Sequence, residues 1–327
     1  MSFEPVQVGR RVVVRYRRPP GSQPPLTDVV GVVTAVDHDG LTVEGSSGPV
    51  TVRGQDVVVA RPVPPAPVRR GRPHTAVSTV DLERLMADGW RAVEEEWLGD
   101  WMLRASSGFT GRGNSVLPLG DPGSSMETAV EHAEEWYATR GLPTQFHIDL
   151  PPSGRAADQP LGLVLLDRGY AVVAPTVVMT GASSAIEPLR DGAAPVHVSA
   201  SLEPDWLAAY AQQRPTQPAV TEQLLTGSPG QLFLSTSDRS RDISALARMS
   251  IHPGWAGLQA LWVDPSKRGR GLGRTVLHAA GMLARQRLIS SLYLQVEVEN
   301  EAAIGLYESE GFRPHHTYVY LRQEADT

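Results

Sequence analysis

Between residues 11 and 60 the apolar positions fall in short valine-rich runs: Arg11-Val-Val-Val-Arg-Tyr16, Val29 to Val36, Leu41 to Glu44, Val50 to Arg53 and Val57 to Ala60. Each is strand-sized and dominated by β-branched residues that suit a pleated, half-buried surface. Asp37-His-Asp-Gly40 and Ser46-Ser-Gly-Pro49 separate them as turns. Five such strands with few helix formers predict a small all-β, SH3-like barrel over residues 1–60. Arg61-Pro-Val-Pro-Pro-Ala-Pro-Val68 and Arg69-Arg-Gly-Arg-Pro73 then break all periodicity, which predicts a stiff, solvated linker over 61–76.

From Asp81 the spacing turns helical, with Leu82, Leu85 and Met86 on one face. Two later stretches repeat the same order of elements. In the first, a strand near Asn114–Leu119 leads through Gly120-Asp-Pro-Gly-Ser-Ser125 into a helix from Met126 to Arg140. A strand at Thr144–Leu150, a helix near Leu161–Asp167, Gly169-Tyr170 and a strand at Val172–Met179 follow. In the second, a strand at Leu258–Val263 leads through a glycine loop into a helix from about Leu272 to Arg287. A strand at Ser291–Val298, a helix at Glu301–Ser309, Gly311-Phe312 and a strand at Tyr318–Leu321 complete it. The parallel predicts a duplicated α/β unit with a mixed sheet, divided into residues 77–190 and 191–327. Only the second copy has the glycine loop, so the first is expected to serve as a scaffold or substrate-side wall.

Composition narrows the chemistry. The chain has no cysteine, which excludes disulfides, thiolate metal sites and a cysteine nucleophile, and together with the absence of long apolar runs leads to the expectation of a cytoplasmic protein. Net charge is −6. Residues 1–73 carry 10 arginines against 6 acids, leaving −10 for the remainder, so nucleic acid is an expected partner only through the basic barrel strand with Arg10, Arg11, Arg15, Arg17 and Arg18. A solvated outer face that stabilises or positions the rest of the chain is the preferred reading of those arginines.

Arg268-Gly-Arg-Gly-Leu-Gly273 lies between a predicted strand and a helix whose apolar residues Leu272, Val276, Ala279, Ala280 and Leu283 recur near every 3.6 positions. A helix N-terminus offers unpaired N–H groups and a positive dipole end, and glycines let a pyrophosphate approach them. Arg268, Arg270 and Arg274 add charge. No Lys-Ser/Thr follows the last glycine, as a P-loop requires, and the repeated βα units of a dinucleotide fold are missing.

The wider pattern, Leu261-Trp-Val-Asp-Pro-Ser-Lys-Arg-Gly-Arg-Gly-Leu-Gly273 followed by Asn300-Glu-Ala-Ala-Ile-Gly-Leu-Tyr-Glu-Ser-Glu-Gly-Phe312, resembles the GCN5-related N-acetyltransferase (GNAT) family. The match falls on Arg268, Gly271 and Gly273, then on Asn300, Tyr307, Gly311 and Phe312, within roughly residues 255–321. The barrel, degenerate first copy and complete second copy resemble tandem GNAT members.

The resemblance implies acetyl-CoA as cosubstrate. Backbone groups of Leu261, Trp262 and Val263 would pair with the pantetheine arm, and those from Arg268 through Gly269, Arg270, Gly271, Leu272 and Gly273 to Arg274 would bind the pyrophosphate. Tyr307 would be the general acid, and Asn300 a cofactor or water contact as well as a helix cap. Gly257 stands where some members carry a glutamate base, leaving Glu297, Glu299, His252 and Gln259 through a water as candidates. Without a strong base, a low-pKa acceptor is favoured: neutralising a lysine at pH 7 costs about 4.6 kcal/mol, against about 1 to 1.4 for an α-amine. The expected acceptor is therefore a protein α-amine or a small-molecule amine, with no metal and no membrane partner. The alternative is a non-catalytic acyl-CoA sensor or adaptor whose barrel binds a protein or nucleic acid.

Overall fold

Alternation of buried valines with exposed polar residues builds the first five strands: β1 (Arg11–Arg17), β2 (Leu26–Val36), β3 (Gly40–Gly45), β4 (Gly48–Arg53) and β5 (Val57–Pro62). In the computed structural model the described residues are 8–19, 21–45, 48–63, 77–150, 153–212, 217–238 and 242–323. Ser46 and Ser47 of the second expected turn, and 64–76 of the expected linker, lie outside them. The chain divides into two units, Met1–Pro67 and Val68–Thr327.

In the smaller unit all strand pairs are antiparallel, in the order β4-β3-β2-β1-β5. Val12, Val14, Val33 and Val43 are fully buried at its centre. This is the all-β, barrel-like domain that the strand pattern predicts. On its outer face Arg15 makes a two-pronged ion pair with Asp28, at 2.7 and 2.8 Å.

The larger unit opens with α1 (Thr79–Gly89), capped by Ser78, whose hydroxyl accepts from the Asp81 amide. The hairpin β6 (Glu94–Leu98) and β7 (Trp101–Ala105) follows, then β8 (Leu117–Pro118), α2 (Met126–Ala138), β9 (Gln145–Leu150), α3 (Pro160–Asp167) and β10 (Ala171–Ala182). The second half contributes β11 (His197–Ser199), α4 (Pro204–Ala211), α5 (Pro218–Thr226), β12 (Gln231–Ser237), β13 (Ile243–His252) and β14 (Trp255–Val263). It ends with α6 (Leu272–Gln286), β15 (Ser291–Glu297), α7 (Glu301–Ser309) and β16 (Arg313–Arg322).

One eight-stranded mixed sheet holds this unit together, in the order β11-β12-β13-β14-β15-β10-β16-β9. Only β14 and β15 run parallel. The division expected at 190/191 falls inside this unit: β10, from one side of it, lies between β15 and β16 from the other. The small and apolar face of α6, including Val276, Leu277, Ala280 and Ala284, packs on one side of the sheet. On the other side α1 sets Leu82, Leu85 and Met86 against Trp255, Tyr293 and Tyr318.

The strand expected over 114–119 is reduced to Leu117–Pro118. Asn114 is the reason. Its carbonyl accepts from the amides of Ser106 and Gly108, and its amide donates to the carbonyls of Phe109 and Thr110, all at 2.8 Å. These four bonds fold residues 106–114 into a closed loop, so the chain becomes extended only after Asn114.

Candidate active site

A cavity of about 890 Å³ opens where β14 and β15 part. The two strands pair only from Trp255–Leu258 against Ser291–Leu294, so beyond Leu258 the β15-facing edge of β14 has no strand partner. A register shift against β13 and a left-handed Ala260 (φ 54°) mark the same place. An unpaired edge of N–H and C=O groups is the feature an extended pantetheine arm can complete.

Leu261, Trp262 and Val263 line that edge. The Trp262 side chain packs among Trp206, Phe233 and Leu246, so its indole serves the core. The glycine loop then turns into α6. Gly269 (φ 75°) and Gly271 (φ 78°) are left-handed, with Gly271 as the residue before the first helical turn. That conformation is cheap only for glycine, and neither position has any atom within 4 Å of where a Cβ would stand, so the loop surface is bare backbone. Gly273 has ordinary negative φ and sits close against Val263 and Leu306. These residues fit a pyrophosphate: bare amides at the start of a fifteen-residue helix.

The arginines divide. Arg268 and Arg270 are exposed beside the loop. Arg274 is turned toward α7: its guanidinium lies 2.8 Å from Glu310 and donates to the Ser309 hydroxyl at 3.1 Å. Its charge is thus largely met within the protein.

Tyr307 projects from α7 into the cavity wall, packed against Phe312 at 5.9 Å between ring centres. Burial pushes its pKa up to about 12, and its hydroxyl makes no hydrogen bond among the described residues. Asn300 caps α7 by accepting from the Ala303 amide at 3.2 Å and also lines the cavity.

The position that carries glutamate in some relatives has no room for a side chain here. A Cβ on Gly257 would stand 2.3 Å from the Tyr293 ring and 2.4 Å from the Gln259 amide nitrogen. Tyr293 and Gln259 occupy that volume. Gln259 donates to the Ser250 hydroxyl at 2.9 Å and accepts from Arg248 at 3.1 Å. Glu297 and Gln259 line the cavity; Glu299 and His252 do not. Burial lowers the His252 pKa to about 4, which keeps it neutral.

The rest of the wall comes from segments that carry no motif: Trp90, Thr110 to Arg112, Thr176, Tyr210, Gln295, Tyr318, Tyr320 and Arg322. The one signal in the sequence is Tyr318-x-Tyr320-x-Arg322, which alternation on β16 puts on a single face.

Behind Tyr318 lies a buried ionic cluster. The His147 ring stacks on Tyr318 at 4.0 Å and its Nε2 is 2.9 Å from Asp149 and 3.4 Å from Glu83, while His316 is 2.8 Å from Glu83. Glu83, His147 and Asp149 bring donor atoms within 4.8 Å of one another, a spacing that could hold a divalent cation. As described, they satisfy one another as ions. Burial opposes the charge on His147, but Glu83 and Asp149 outweigh it and raise its pKa to about 9. Burial likewise opposes ionisation of Glu83, and the two histidines hold its carboxyl well below the usual range. A raised histidine stabilises the fold fully below its unfolded pKa of 6.5 and loses that contribution as pH rises through about 9. A depressed carboxylate stabilises above 4.5 and loses its contribution as pH falls. Thermal stability is therefore expected to peak between about pH 4.5 and 6.5, and His147→Gln should flatten the alkaline fall. Identical alkaline slopes for the two proteins would contradict this.

The family described as "Probable histone acetyltransferase Rv0428c C-terminal" matches residues 78–321, and the accompanying "Rv0428c N-terminal Sm-like domain" matches residues 6–61. The chain belongs to this family. It is 34% identical to the probable histone acetyltransferase Rv0428c of Mycobacterium tuberculosis over 96% of this chain and 95% of that one. Among solved structures, a GCN5-related N-acetyltransferase from Kribbella flavida covers 76% of this chain and 96% of its own at TM-score 0.54 and 15% identity. A tandem GNAT protein from the clavulanic acid biosynthesis pathway covers 76% and 88% at TM-score 0.52 and 17% identity. The fold is that of the GNAT acetyltransferases, preceded by an Sm-like domain, and the chain is an acetyltransferase of that kind. Among the described residues no helix is long and apolar enough to cross a membrane.

Proposed function

We propose that this chain transfers an acetyl group from acetyl-CoA to a primary amine by direct attack on the thioester, with Tyr307 as general acid. The carrying observation is the continuity of one cavity: the unpaired edge of β14, the glycine loop and Tyr307 all border it. Acetyl-CoA supplies the thioester. Residues 268–274 would hold its pyrophosphate, and Leu261 to Val263 its pantetheine arm. Tyr307 gives its proton to the sulfur as the C–S bond breaks, and the proton shed by the attacking nitrogen balances it. A phenol with pKa near 12 is fully protonated at neutral pH and ready to donate.

With Gly257 unable to carry a carboxylate, deprotonation rests on a water held by Gln259 or on Glu297, both weak means of neutralising a lysine. This supports an α-amine or small-molecule amine as acceptor, although the mycobacterial relative is named for histones. The test is CoA release across a panel of amines. Free α-amines are expected to exceed an N-terminally blocked lysine peptide in kcat/KM by at least about tenfold. The reverse order would sink the acceptor assignment, and no release with any amine would sink the activity.

A further inference from the structure

Arg112 is a cation that the protein leaves unmatched. It rides on the 106–114 loop, whose shape the four hydrogen bonds of Asn114 fix. Its guanidinium carbon lies 4.6 Å above the ring of Trp90, which is itself buried and tied to Thr110 through Nε1 at 3.3 Å. Arg112 lines the cavity, and its planar group carries N–H donors suited to an oxyanion. It makes no hydrogen bond and no ion pair among the described residues. The other arginines of this region are engaged: Arg248 by carbonyls and Gln259, Arg322 by Gln145 at 2.6 Å.

A second group points the same way. Tyr320 is 4% exposed, and its hydroxyl, beside that of Tyr318, has no hydrogen bond of ordinary geometry among the described residues. The neighbouring Tyr318 hydroxyl gives its proton to Gln295 at 2.8 Å. The charge of Arg112 is felt by both phenols, and Gly111 sits against the Tyr320 ring, so loop and strand converge on one point. These residues lie on segments other than the glycine loop, although they line the same cavity. A buried hydroxyl without a partner and an unpaired guanidinium lining the same cavity can both be satisfied by one ligand oxyanion.

We propose that Arg112 and Tyr320 form an oxyanion subsite, and that the acceptor is an amine bearing a carboxylate. Arg112 supplies a two-pronged, charge-assisted contact and Tyr320 a third donor. A lysine-rich tail would instead bring positive charge toward an unneutralised arginine. The assignment of amine class rests on the acetyltransferase reading above; the subsite itself does not.

The test uses the full chain and pairs of acceptors with and without the anion, compared per unprotonated amine: α-amino acids, β-alanine, γ-aminobutyrate and 6-aminohexanoate against their amides, with phosphoethanolamine against ethanolamine. For the wild type, the best carboxylate acceptor should exceed its amide in kcat/KM by at least about tenfold, chiefly through KM. In Arg112→Gln that ratio should fall to near one, with Arg112→Lys between the two. A ratio near one in the wild type, or an unchanged ratio in Arg112→Gln, overturns the proposal, and phosphoethanolamine outperforming every carboxylate overturns the choice of anion. Thermal stabilisation by N-acetylated carboxylates in the presence of CoA reads the subsite without turnover. It should occur in the wild type and vanish in Arg112→Gln; no stabilisation of the wild type overturns the subsite. Arg112-dependent stabilisation without CoA release from any amine would leave the subsite standing and refute acetyl transfer.

Discussion

Replacing Tyr307 by phenylalanine is expected to lower kcat by about 10²- to 10³-fold while leaving the Kd for acetyl-CoA within about twofold. The ring stays, so the contact with Phe312 and the packing of α7 against the sheet are preserved. Only the hydroxyl is lost, and it holds no other residue in place among the described residues. The consequence should therefore be confined to the departing sulfur. Initial rates of CoA release and calorimetric titration with acetyl-CoA separate the two quantities. A kcat within threefold of wild type would remove Tyr307 from the chemistry. Because burial sets its pKa near 12, loss of Tyr307 should not remove any alkaline limb of the rate profile below about pH 11.

Arg248→Ala should be the most destabilising single substitution near the site, by about 4 kcal/mol or more. Arg248 is fully buried, yet its partners are neutral: the carbonyls of Leu225 and Gly89, the Ser228 hydroxyl and the Gln259 side chain. Removing it strips donors from four buried acceptors on three separate segments and leaves a cavity beneath Trp90, which lies 5.5 Å from the guanidinium. For a unit of this size, a loss of that order lowers Tm by roughly 8 to 16 °C. A melting curve within 2 °C of wild type would show that the network carries little. The acceptor KM should rise as well, because Gly89–Trp90 and Gln259 form the floor on which Arg112 and the cavity rest.

Much of the fold is legible in the chain because its elements are locally consistent. The valine alternation of the barrel, the 3.6-residue spacing of α6 and the Gly311-Phe312 turn before β16 each state their conformation without help from distant residues. The hairpin β6–β7 is less legible: Glu94-Glu-Glu-Trp97 is polar and mostly exposed, and its strand character comes from pairing with buried Trp101–Ala105. Near Asn114 the apolar residues that follow suggest a strand, but the Asn114 side chain ties that residue into the preceding loop. The order of strands could not be read at all. Placing β10 between β15 and β16 depends on which edges meet, and edge pairing is a non-local choice with no periodic trace.

The same division applies to the site. The glycine loop and the Asn300 to Phe312 segment can be recognised because each is a run of consecutive residues at the start of a helix, where backbone geometry itself is the signal. By itself the sequence determined the elements of the proposed donor end: bare amides at a helix start, and a tyrosine one short helix beyond. Only the tertiary structure decided the opposite wall of the cavity, where Trp90, Arg112, Thr176 and Tyr320 come together from separate segments. It also decided that Gly257 faces Tyr293 and Gln259 too closely to be anything but glycine. The physical reason is range. A helix terminus is made by neighbours in the chain, whereas an unmatched charge is defined by which partners the folded protein fails to bring to it.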